Sequence, residues 1–205
     1  MIHLDNLGIC LTRQGIHAVN RVPNDGLTYR CIHYDSLQAI RHDRAVQIRG
    51  VELGMLHDYV PFYFGPRSPM LYALKNGRVE GYSDGQEPLI YLVAYAEEIA
   101  EGGCPFVFSD GHGIMKFSRW FDDLKDLHYV DWETVNDDFW ADTVDDNDKK
   151  RRKQAEFLVR DFCPWSLIRG IGVFSDRTKH RVERNFSQYS EELRRVVKVK
   201  KSWYY

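Results

Sequence analysis
The 205 residues are 43% hydrophobic and 28% charged, the make-up of an ordinary globular protein with enough chain for one well-filled core. The formal net charge of −2 excludes the uniformly basic surface with which many proteins hold nucleic acid. Four scattered cysteines without a CxxC pair, and eight histidines without HExxH, argue against a disulfide framework and against a metal site.

The opening MIHLDNL lacks the basic and apolar regions of a signal peptide, and no apolar run reaches membrane-spanning length, so a cytoplasmic protein is expected. Asp5 is placed to cap a helix over residues 6–14, with Leu7, Cys10 and Leu11 on one face and Gly15 closing it. Residues 20–27 (NRVPNDGL) are turn chemistry. Residues 33–50 show no clean period and read as an irregular loop with a helical turn. Residues 56–64 (LHDYVPFYF) form a strand, and Pro61 within it demands an edge position or a bulge.

Ser68 with Pro69 starts a helix that ends at Asn76-Gly77. Residues 88–95 and 105–108 read as strands, 109–113 as a turn, and 119–127 as a helix with Trp120, Phe121, Leu124 and Leu127 on its apolar face. Phe157-Leu158-Val159 continues a helix or begins a strand; three residues do not decide. Gly170–Phe174 makes a strand, Asp176 caps a basic helix to about Phe186, and residues 196–200 make a final strand. Strands and helices mix without regular βαβ alternation, which places the chain in the α+β class as a single domain.

Charge is segregated along the chain. Residues 122–148 carry eleven acidic side chains against Lys125 alone, and residues 177–201 carry nine Lys or Arg against three Glu. Two solvated faces that attract each other are the plain reading. The basic tail ending in Trp203-Tyr204-Tyr205 suits single-stranded nucleic acid, and it equally suits an edge strand guarded by lysines. Arg41, Arg44 and Arg49 cluster near one turn, fit either for phosphate or carboxylate recognition or for pairing with Asp43 and Glu52.

Gly111-His112-Gly113 and Gly170-Ile171-Gly172 each lack the third glycine of a dinucleotide fingerprint, and no GxxxxGK[ST] exists. His112, flanked by glycines, reads first as a solvated turn histidine and second as a ligand contact. Glu156 stands where the cations of KKRRK give way to the apolar FLV. Burial disfavours its charge and the cations favour it. Taken bare, it reads as an ion-pair partner of those neighbours ahead of a catalyst.

The block LHDYVPFYFGPRSPML (residues 56–71), with HLDNL (3–7), PFVFSDGH (105–112), QAEFLV (154–159) and SWYY (202–205) in order, resembles the DarT family of DNA ADP-ribosyltransferase toxins from bacterial toxin–antitoxin pairs. The resemblance implies an ADP-ribosyltransferase fold of two small packed sheets with flanking helices, gripping NAD as co-substrate without a Rossmann motif. It implies transfer of ADP-ribose to thymine in single-stranded DNA, with a DarG-like macrodomain antitoxin as partner. Carried over by position, Glu156 is the catalytic glutamate and Arg41 the active-site arginine, with Arg44 the alternative after a short gap.

His3, Asn20 and Arg44 then fall among the cofactor-binding positions, His112 at the substrate-binding root of a substrate-reading loop over about residues 109–154. The family gives its arginine a part in taking the thymine proton, a task at odds with a guanidinium that stays protonated. Two departures stand out. The chain starts almost on top of the family's first NAD-contacting residues, which implies either a start codon assigned too late or weaker nicotinamide binding. The acidic stretch lies where DNA should approach. A different acceptor (guanine, RNA or protein) would keep the same glutamate, and an impaired homologue would bind single strands through the basic tail alone.

Overall fold
The computed structural model describes residues 1–205. Its strands and helices, in chain order, are β1 (Ile2–His3), α1 (Leu7–Thr12), β2 (Gly15–His17), α2 (Asp35–Asp43), β3 (Ala45–Ile48), β4 (Val51–Met55), β5 (Tyr59–Tyr63) and α3 (Pro69–Lys75). There follow β6 (Leu89–Val93), α4 (Ala96–Glu101), β7 (Phe106–Ser109), β8 (Trp120–Phe121), α5 (Trp132–Asn136) and α6 (Lys149–Arg152). The chain ends with β9 (Glu156–Arg160), β10 (Phe162–Pro164), β11 (Gly170–Val173), α7 (Asp176–Phe186) and β12 (Val196–Val199).

Two four-stranded sheets carry the molecule, one ordered β1-β6-β11-β12 and the other β5-β9-β7-β8. This is the expected α+β architecture of small sheets with flanking helices. The second sheet is antiparallel throughout, whereas β11 and β12 in the first run parallel. Side chains from both sheets meet in one core, with Ile90, Leu92, Ile171 and Val173 from the first and Val60, Phe108, Phe157 and Val159 from the second. Trp165 is fully enclosed there, its indole N–H donating to the Leu193 carbonyl.

Pro61 sits in β5, an edge strand, where its missing N–H costs no ladder bond. Ser68 caps α3 by accepting from the Leu71 N–H, with Pro69 at the first helical position. Strand β9 is buried on both faces, which explains its unbroken FLV run. Strand period turns Ala155 and Phe157 into the shared core and puts Glu156 and Leu158 on the other face. There Leu158 packs with Val46 and Ile48 of the β3–β4 hairpin and with Leu56 and Val107.

Four local expectations are corrected. Residues 33–50 are not an irregular loop but helix α2 followed by hairpin β3–β4. Residues 119–127 are not a helix: Trp120 and Phe121 pair with Ser109 and Phe108. Asp123 then caps a separate 3-10 turn by accepting from the Lys125 N–H. Asp5 caps nothing, because a 3-10 turn capped by the His3 ring precedes α1. Ser175, not Asp176, caps α7 through its bond from the Thr178 N–H.

Removing the Leu158 side chain should therefore damage the packing of the hairpin that backs α2. Leu158→Ala is expected to cost about 2–5 kcal/mol in urea unfolding. An unchanged midpoint would mean that the second apolar layer contributes nothing.

Candidate active site
Glu156 is 2% exposed, yet its carboxylate forms part of the wall of a cleft of about 1030 Å³. The first position of β9 places it there, at the sheet margin, opposite Tyr63 across the β5–β9 ladder. Oε1 accepts from the Gly113 backbone N–H at 3.0 Å and from the Arg41 guanidinium at 3.1 Å. The same guanidinium nitrogen lies 3.0 Å from Oε2 without directing a hydrogen at it, so Oε2 has no hydrogen-bond partner. The other terminal nitrogen of Arg41 is buried and equally unpartnered. One carboxylate oxygen and one guanidinium nitrogen are thus left over at the cleft.

The segment after β7 wraps around this carboxylate. Ser109 Oγ accepts from the Glu156 N–H at 3.2 Å and donates to the Gly111 carbonyl at 2.6 Å. The His112 N–H donates to the Arg151 carbonyl, and Ser118 Oγ donates to the His112 carbonyl. His112 Nε2 ends 3.9 Å from Glu156 Oε1. Burial pushes the imidazole pKa down, the Glu156 charge raises it, and the charges of Arg41 and Lys150 lower it further. Space at Gly113 is tight: a Cβ there would stand 3.1 Å from the Trp120 ring and 3.2 Å from Glu156 Oε1, so both would have to give way by a few tenths of an ångström.

The neighbouring cations do not pair with Glu156. Lys149 bonds Asp137, Arg151 bonds Asp110 and Asp148, and Arg152 bonds Asp131 and Asp146. Lys153 is buried with its ammonium on the carbonyls of Val135 and Asp137. Five of the eleven carboxylates of the acidic stretch thus pair with α6 or with Arg67, which bonds Asp138, and none with the C-terminal basic segment. Glu156 finds its cation 115 residues away in α2.

Among the residues singled out by sequence, Glu156, Arg41 and His112 meet in the cleft. Arg44, the alternative to Arg41, lies outside it and donates to the carbonyls of Gly113 and Met115. Asn20 bonds Asp58 on an exposed surface. His3 is buried beneath the chain between Asp5 and Asp84. Neither His3 nor Asn20 lines the cleft. Arg49 occupies the tip of the β3–β4 hairpin with φ of 51°.

The Gly113 N–H carries no side-chain signal in the sequence, where Gly111-His112-Gly113 marks only a turn. Nor does the sequence mark Tyr63, which the β5–β9 register brings opposite Glu156. Burial and the Glu156 charge raise the Tyr63 pKa, so this phenol remains a proton donor at neutral pH. Of the C-terminal aromatics, Tyr204 is buried and donates to the Leu89 carbonyl, and so stacks no base.

A family model described as "ssDNA thymidine ADP-ribosyltransferase, DarT" matches residues 1–205. The chain belongs to the DarT family. It is an NAD-dependent DNA ADP-ribosyltransferase acting on thymidine in single-stranded DNA. A DNA ADP-ribosyl transferase of Thermus sp. (strain 2.9) is 42% identical over 203 residues, covering 99% of this chain and 93% of that protein. The solved structure of Thermus sp. 2.9 DarT in complex with ADP-ribosylated ssDNA aligns with a TM-score of 0.90 at 41% identity, over 99% of this chain and 93% of that one. The same enzyme in complex with NAD+ aligns at 0.85 and 39% identity, over 99% and 94% of the two chains.

The DarT-family site fits its co-substrate by its own geometry. The cleft volume lies just above the usual range for small-molecule sites, about 300–1,000 Å³. The leftover Glu156 oxygen and Arg41 nitrogen give a ribose hydroxyl and a carbonyl or phosphate oxygen each a ready partner. The structure contains no cluster of His, Cys, Asp and Glu able to hold a metal.

Arg41→Ala should leave the Glu156 carboxylate buried with only the Gly113 N–H for compensation. A loss of roughly 3 kcal/mol is expected in urea unfolding, and Glu156→Gln added to it should recover part of that loss. Additive losses in the double variant would show that the two side chains do not act as a pair.

Proposed function
We propose that Glu156 is the catalytic carboxylate of this transferase, Arg41 its positioning and substrate-contacting cation, and His112 the acceptor of the thymidine proton. What carries the reading is a buried carboxylate on a cleft wall with one oxygen fixed by two donors and the other unbonded. NAD+ supplies the ADP-ribosyl group, and positive charge gathers on its ribose as nicotinamide leaves. Glu156 turns Oε2 to a ribose hydroxyl and stabilises that charge from a fixed position, without reorganisation at the moment of reaction. The two donors on Oε1 keep the carboxylate from rotating away.

Arg41 donates from its free terminal nitrogen to an oxygen of the incoming base or of the diphosphate. The attacking ring nitrogen of thymine carries a proton that must go to a base. His112 is neutral at pH 7 because burial and two cations lower its pKa, and it stands beside Glu156 at the cleft. Tyr63 closes the other side as a donor. Single-stranded substrate is required because the same ring nitrogen is occupied by pairing in a duplex.

Residues from about 109 to 154 act as the substrate-reading loop, with His112 at its root. The enzyme works in the cytoplasm as the toxin of a pair whose antitoxin, of the DarG macrodomain type, removes the mark. No helix is long and apolar enough to cross a membrane.

Mass spectrometry of a thymidine-containing oligonucleotide after incubation with NAD+ tests the first role. Glu156→Ala is expected to lower the transfer rate at least about 10²–10³-fold with the fold retained. A variant as fast as the parent would remove Glu156 from the chemistry. The rate should also fall as pH drops through the His112 pKa, below 6.5, because the protonated ring accepts nothing. His112→Gln should lower the rate about 10²-fold and flatten that acid limb. An unaltered limb in the variant would assign the proton elsewhere.

A further inference from the structure
The turn 112–118 places one large aromatic where a core protein would not leave it. Phe117 is 77% exposed, although enclosing such a ring normally contributes to stability. The turn itself is firmly held. The Met115 N–H donates to the His112 carbonyl and the Ser118 N–H to the Met115 carbonyl. Ser118 Oγ donates to the His112 carbonyl, while Arg44 donates to the carbonyls of Gly113 and Met115. Arg151 ties Ser118 to Asp110 from behind. Phe117 is therefore presented on a braced rim.

That rim borders the catalytic cleft. Phe117, Met115 and Ile114 line it together with His112 and Glu156. Lys150 also lines it, and Lys116 is exposed next to the ring. The acidic side chains on the same wall are engaged: Asp148 by Arg151, and Asp142 by the Lys150 backbone N–H. A flat apolar face flanked by cations, at the mouth of a cleft where one base must be turned inward, matches what a single strand needs next to its displaced base.

We propose that Phe117 stacks on the nucleobase adjacent to the acceptor thymidine, occupying the place that base loses when its neighbour enters the cleft. The proposal rests on the cleft around Glu156 being the catalytic one. Stacking is tolerant of base identity, so Phe117 sets the register of the strand rather than its letter. It holds one neighbour outside while Glu156 and His112 act on the thymidine inside. Lys116 and Lys150 lie where backbone phosphates on either side of that base would run.

The test is transfer kinetics on a short single-stranded oligonucleotide with one thymidine, using Phe117→Ala and Phe117→Trp. Phe117→Ala should raise the oligonucleotide KM about 5- to 100-fold. Its KM for NAD+ and its thermal midpoint should stay at the parent's values, since the ring is solvent-exposed. Phe117→Trp should restore the parent KM. Oligonucleotides with an abasic residue on one side of the thymidine, then on the other, complete the experiment. On one of the two sides the parent enzyme should lose the same factor, and Phe117→Ala should lose nothing further there. A Phe117→Ala enzyme with the parent's oligonucleotide KM overturns the proposal, as does a penalty that persists in full on both abasic substrates. Loss of NAD+ binding or of all transfer in Glu156→Ala alone speaks to the cleft and is read separately from these ratios.

Discussion

The ion pair between Glu156 and Arg41 joins the parts of the protein that must be in register for the cleft to exist. One partner opens the central strand β9, and the other closes the last turn of α2. Glu156 is buried, at 2% side-chain exposure, and Arg41 is largely enclosed, at 11%. A buried pair of this kind is weak evidence for stability, because desolvating two charges offsets most of their attraction. An apolar pair of similar volume would hold α2 against the sheet equally well. The pair is also incompletely bonded, with one oxygen and one nitrogen lacking partners.

Support for this pair comes from behind and from the side. Gln38, one turn before Arg41, meets His57 Nε2 at 2.9 Å and docks α2 on the turn leading into β5. From the side, the 109–118 segment supplies the Gly113 N–H and is itself held by Asp110, which bonds both Arg119 and Arg151. The ionic network around α6 thus has a function in geometry rather than in stability. Pairs at this level of exposure contribute little individually. Together they fix the Arg151 carbonyl that accepts from His112, and so the position of the imidazole. They also consume much of the acidic charge that would otherwise repel a DNA strand from the cleft.

The strong local signals in the sequence were sound. Pro61 marked an edge strand, Ser68-Pro69 a helix start, and the runs at residues 88–95 and 170–174 two strands of the first sheet. The boundary position of Glu156 was also visible. Its partner was not, because charge proximity along the chain pointed to KKRRK and the actual cation lies in α2. Helix α2 itself was illegible for a related reason: it buries no residue and so leaves no apolar period. It is fastened by Gln38 and Arg41, polar contacts with no local pattern. Strand β8 was misread as helix because Trp120, Phe121, Leu124 and Leu127 are spaced to suit a helical face. Pairing with β7 overrides that spacing.

A core strand delivers a carboxylate to the cleft here through parity. Ala155, Phe157 and Val159 face the core shared by both sheets, and Glu156 and Leu158 face the hairpin and α2. A slip of one residue in the β5–β9 register would turn the carboxylate into the apolar core shared by the two sheets. The apolar residues on either side of Glu156 therefore prevent that slip, since each would have to move to the wrong face with it. The FLV run that looked in sequence like the end of the charged region is what orients the charge. Chemistry at the cleft is set by the packing of residues that never touch it.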